Sequence, residues 1–137
     1  MCGDLDDEDT IINAEIQERF LATARKMGVA AGAGAESPGS LAPEEGRAAY
    51  MDRIFHQGLE RAVADVQGAS EDEKVDAIAS LAIALARLSG FIAGSLPPEA
   101  NLYKSVIEAV TTGHGEPGHI AAEIHANNSG HHHHHDH

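Results

Sequence analysis

The sequence predicts an all-α protein: an antiparallel bundle of three long helices plus a shorter fourth, with a disordered His-rich C-terminal tail. Three observations predict it. Apolar residues recur at steps of three and four over four separate stretches, which places them on helix faces. Glycine and proline punctuate the chain at the ends of those stretches. No stretch alternates apolar and polar residues as a half-buried strand would. Aromatic residues make up only 4% of the chain and Trp is absent, so any core must be built from Ala, Ile, Leu and Val.

Residues 1–9 form an acidic head, expected to be flexible, and Asp9 or Thr10 is placed to cap the first helix. Ile12, Ile16, Phe20, Ala24 and Met27 share one face, and Gly28 is the natural stop. Residues 29–42 are rich in glycine and alanine, lack periodicity and are expected to be a flexible linker. Pro43 suits the start of a second helix, with Glu44 and Glu45 near its positive end. Its seam is Ala48, Met51, Phe55, Gly58, Ala62 and Val66, widened by Ile54, Leu59 and Val63, and Gly68 ends it.

Ser70 and Glu73 have capping-box spacing ahead of a third helix. That helix carries Val75, Ile78, Leu81, Ile83, Leu85, Leu88, Phe91 and Ile92 over most of its circumference. A helix apolar nearly all round is central in a bundle or lies at an oligomer interface. Asp76 and Arg87 interrupt Val75–Leu96, which argues against a membrane span. Pro97-Pro98 forces a turn before the fourth helix, with Leu102, Val106 and Val110 on one face and Gly113 as its stop. The expected organisation is therefore an acidic head 1–9, a helical domain 10–113 and a His-rich tail 114–137.

A chain of 137 residues fits one domain. So small a body gains from self-association, and a homodimer is expected. The net charge of −13 disfavours nucleic acid. Protonating all ten histidines would move the charge from −13 to −3. The single cysteine, Cys2, excludes an intramolecular disulfide. The acidic start does not read as a secretion signal, so the cytoplasm is the expected location.

The chemistry is concentrated at the C-terminal end. Nine of the ten histidines fall in the last 24 residues, beginning at His114. Neutral imidazole is a leading ligand for Ni²⁺, Cu²⁺ and Zn²⁺, and neighbouring imidazoles can chelate without a preformed cage. The candidate ligands are His119, His125, His131, His132, His133, His134, His135 and His137, with Asp136 as an added oxygen donor. In composition, these 24 residues resemble the His-rich extensions of bacterial nickel-handling accessory proteins. That resemblance implies metal delivery or buffering, and it does not extend to the body. An added tag on an Asn127–Gly130 linker is the competing explanation. Asp136 inside the run, and three histidines upstream of the linker, argue against it.

Three further groups stand beside a plainer reading. Asp52, His56 and Glu60 share a helix face, as a metal edge, a proton relay or an ordinary solvated face with i,i+4 pairs. Glu116 and His119 have Glu-x-x-His spacing, but the motif occurs once and Pro117-Gly118 splits it; Glu123 follows four residues after His119. Cys2 and a freed N-terminal amine would make a five-membered chelate, or Cys2 is an inert exposed thiol. No phosphate loop, dinucleotide fingerprint or Ser/His/Asp set is present. The leading expectation is a non-catalytic metal-binding accessory or storage protein for nickel, zinc or copper. The alternative is a helical interaction or regulatory module whose tail is incidental or added; a small metalloenzyme ranks third.

Overall fold

The computed structural model describes the backbone of residues 2–135 and the side chains of residues 11–128. Among the described residues there are four α-helices and no strand: α1 (Cys2–Lys26), α2 (Glu44–Gly68), α3 (Lys74–Gly94) and α4 (Leu102–His135). Single 3₁₀ turns, Glu71–Glu73 and Pro98–Ala100, precede α3 and α4. The all-α class follows from the sequence pattern as expected. The chain divides into two compact units, Met1–Leu88 and Ser89–His137.

α1 begins at Cys2, upstream of the cap expected at Asp9 or Thr10. The acidic side chains of Asp4, Asp6, Asp7, Glu8 and Asp9 lie outside the described residues. At the other end the reading of Gly28 holds. It adopts a φ of 92°, the left-handed region that glycine enters without steric cost. Its N–H donates to the Arg25 carbonyl at 3.0 Å, and that of Val29 to the Ala24 carbonyl at 3.0 Å. These two bonds form a Schellman cap and satisfy carbonyls that the helix end leaves open.

The second half of residues 29–42 folds back on the start of α2. Arg47 Nη1 donates to the carbonyls of Leu41 (3.0 Å) and Ala42 (2.6 Å), and Arg53 Nη2 donates to that of Pro38 (2.8 Å). The Ser40 carbonyl oxygen sits against Gly46, where a Cβ would collide with it. Backbone yields less readily than a side chain, so Gly46→Ala should lift residues 38–42 off α2. Amide hydrogen exchange across 39–42 should rise while that of the middle of α2 is unchanged. Exchange equal to wild type would show that the chain crosses Gly46 without needing its missing side chain.

α2 ends at Gly68 as its composition predicts. Lys74, the first residue of α3, closes the turn. Its Nζ donates to the carbonyls of Val66 (3.0 Å), Gln67 (3.4 Å) and Ala69 (3.1 Å), at the negative end of α2. The Ser70 capping box does not form. Ser70 makes no side-chain cap bond, and its carbonyl instead accepts from the Glu73 N–H at 2.9 Å within the 3₁₀ turn. A 3₁₀ turn satisfies the same donors by backbone alone, which leaves the Ser70 hydroxyl without a capping role.

The fourth helix differs most from expectation. It spans 34 residues, where the pattern predicts a shorter helix stopping at Gly113. It runs through Gly113, Gly115, Pro117 and Gly118, and Asn101, at φ 52°, turns the chain into it. Pro117 has no N–H to give the Gly113 carbonyl, so one rung of the helix is missing. Flanking alanines and glutamates favour helix on both sides, and they override a local break signal carried by four weak formers. Pro117→Ala should restore the rung, stabilising α4 by about 3 kcal/mol locally. Far-UV circular dichroism should show greater helicity and a higher melting temperature; a spectrum and melt identical to wild type would contradict it.

Burial is sparse. Ala93 is the one buried residue among those described. Ile16, Phe20, Leu21 and Ala24 of α1 are half-buried. Near the α2–α3 turn, Ala62, Val66 and Ala69, and Lys74, Ala77 and Leu81, are half-buried as well. Farther from that turn, Met51, Ile54 and Phe55 of α2, and Leu85 and Leu88 of α3, are exposed. Sparse burial sets the chain apart from a domain that covers its own apolar faces.

Candidate functional site

α4 carries three of the histidines with described side chains. His114, His119 and His125 all lie on it and all are exposed. At 100° per residue, His114 and His125 fall within about 20° of each other around the helix, roughly 16 Å apart along it. They cannot share one ion on a straight helix. Glu116, His119 and Glu123 fall on a common face by the same periodicity, because the segment is helical. No three His, Cys, Asp or Glu side chains among the described residues converge as a metal site. Two donors three or four residues apart on one helix face can share an ion, but Glu116, His119 and Glu123 do not converge as a three-ligand set.

The side chains of His131, His132, His133, His134, His135 and His137 lie outside the described residues, as do those of Asp136 and Cys2. Of the candidate ligands, therefore, the structure places His119 and His125, on separate faces of α4.

The group on α2 is resolved in full. His56 Nδ1 lies 2.9 Å from the Asp52 carbonyl oxygen and 3.7 Å from Asp52 Oδ2. A carbonyl oxygen only accepts, so Nδ1 is the donor in this contact. The His56 ring meets Phe55 edge to face, with centroids 6.0 Å apart. Asp52, His56 and Glu60 are all exposed. Open to solvent and on one helix, they form a polar face rather than a reaction centre: water screens the pair, and nothing excludes it from the imidazole.

A cleft of about 640 Å³ lies between residues 35–38 and α2, lined by Tyr50, Arg53, Ile54 and Gln57. The Arg53 guanidinium sits over the Tyr50 ring, 5.8 Å from its centroid. This cleft depends on the return of residues 35–38 onto α2, which neither composition nor periodicity encodes. Its titratable lining groups are Glu36, Tyr50 and Arg53, and the guanidinium is engaged with the Pro38 carbonyl and the Tyr50 ring.

No family model, curated protein or solved structure matches this chain. The stretch Glu71–Gly94, with a mean hydropathy of 1.8, is long and apolar enough to cross a membrane by length and composition. The interruptions at Asp76 and Arg87 do not lower it below that level.

Proposed function

We propose that this chain is a non-catalytic metal-binding accessory or storage protein, in which the histidine-rich C-terminal segment carries Ni²⁺, or else Zn²⁺ or Cu²⁺. The observation that carries the reading is the crowding of nine histidines into 24 residues. Imidazoles on a segment that can adapt bind borderline divalent ions and exchange them quickly, which suits delivery or buffering. The exposure of His114, His119 and His125 supports this, since none is engaged in a core.

Calorimetric titration with Ni²⁺ at pH 7.5 and pH 5.5 tests it. Imidazole as a class protonates near about pH 6.5, and a protonated ring cannot ligate. Protons therefore compete with the ion increasingly as pH falls. More than one ion per chain is expected at pH 7.5 and little or none at pH 5.5. Equal binding at the two values would exclude histidine as the ligand.

A second reading is favoured by a different observation. Twenty large apolar side chains are exposed among the described residues, more than scattered surface hydrophobics account for. On that reading the chain is a helical interaction or regulatory module, and the histidines are incidental. A metal handler loses its capacity when the histidine run is removed, whereas an interaction module keeps its partner binding.

A further inference from the structure

The backbone of α4 continues into the histidine run and ends at His135. His131 to His135 therefore hold helical register positions rather than positions on a tail without order. On a helix, residues three and four apart are neighbours, with Cβ atoms about 5–6 Å apart. The run contains three such pairs: His131 with His134, His131 with His135, and His132 with His135. Upstream on α4 there is none. His114, His119 and His125 stand five and six residues apart, and His125 lies six before His131. Two imidazoles four apart on a helix are the arrangement that grips Zn²⁺ in helical His-x-x-x-His motifs.

Two properties of this helix end favour an ion there. It is the negative end of the helix dipole, where the last carbonyls have no intrahelical N–H, so positive charge is stabilised. The residues leading into it, Asn127-Asn128-Ser129-Gly130, are weak helix formers. Propensity contributes little to holding the last turn, and an ion gripped across a turn supplies what the sequence lacks.

On the reading that the run carries the metal, we propose that it takes its first divalent ion as a helical chelate across position 133, so that metal loading fixes the C-terminal turn of α4. Binding and helix are then one equilibrium. An ion that binds the helical form better stabilises that form, and the helical form raises the affinity for the ion by the same factor. The remaining imidazoles take further ions more weakly.

The test compares full-length wild type, His133→Ala and His133→Pro, titrated with Ni²⁺ at pH 7.5. Both substitutions remove the same imidazole and leave all three helical pairs in the sequence. Only proline withdraws an N–H and bars the residue before it from the helix, which breaks the register that all three pairs span. The first ion should bind His133→Ala as tightly as wild type. It should bind His133→Pro at least about tenfold more weakly, because two rings that cannot engage together lose the gain of the second. In wild type and His133→Ala, Ni²⁺ should slow exchange of the His134 and His135 amides, whose helical acceptors are the carbonyls of residues 130 and 131. In His133→Pro it should leave them unchanged. His133→Pro binding as tightly as His133→Ala overturns the proposal and leaves the run a metal carrier without helical geometry. A loss in His133→Ala as large as in His133→Pro overturns it too, since the ring at 133 is then itself a ligand. So does exchange in wild type that Ni²⁺ does not slow. Wild type that binds no Ni²⁺ overturns both this proposal and the metal reading on which it rests.

Discussion

Ending the chain at Gly130 should reduce Ni²⁺ binding at pH 7.5 from more than one ion per chain to at most a weak remnant. The deletion removes six histidines, His131 to His135 and His137, together with Asp136. It leaves His56 on α2, and His114, His119 and His125, which sit at steps of five and six along α4. Those spacings put neighbouring rings on different faces, so no pair can chelate from a straight helix. A single exposed imidazole holds a divalent ion weakly, and affinity rises steeply only when two or more rings share it. The loss should therefore exceed the fraction of histidines removed. Calorimetry on the two chains measures it directly. A truncated chain retaining the full stoichiometry would move the site to α4 or to the head, and would remove the reason for assigning it to the run.

If another surface covers this face of α3 in solution, Leu85→Asp should lower stability by about 3 kcal/mol or more, or prevent folding, because the carboxylate would then be buried without a partner. The size of the effect matters more than its sign. In the single chain Leu85 is 48% exposed. A substitution at so open a position ordinarily changes stability by no more than about 0.5 kcal/mol. A large loss therefore requires that something cover the residue in solution. Thermal melting by circular dichroism, compared with Ile83→Asp on the same helix, isolates that contribution. Equal, small losses at both positions would mean that water faces Leu85 as it faces Ile83.

Local signals in the sequence specify structure more reliably than distant ones. Gly28, Pro43 and Gly68 bound their helices as expected, since each acts through its own backbone freedom or its own missing donor. Ser70 failed because a capping box competes with a 3₁₀ turn that satisfies the same N–H groups, and composition does not decide between them. Gly113 failed for a related reason. A weak helix former is a cost, not a prohibition, and strong formers on either side can outweigh it. The return of residues 38–42 onto α2 was invisible, because it rests on two arginines reaching carbonyls five to fifteen residues away. The apolar seams were legible, but a seam states only that it must be covered. Of the candidate ligands, the positions on α4 are now located, and His119 and His125 prove to stand apart.

The three-carbonyl grip of Lys74 also bears on the order in which the molecule assembles. Its partners are five to eight residues away in sequence, so the closure of the α2–α3 turn spans very little chain. Loops that short close in well under a microsecond, and structures dominated by near-neighbour contacts reach their native arrangement quickly. The hairpin is thus available almost as soon as the chain is released from denaturant. Formation of the hairpin should accordingly appear in refolding as a fast phase whose rate does not change with protein concentration.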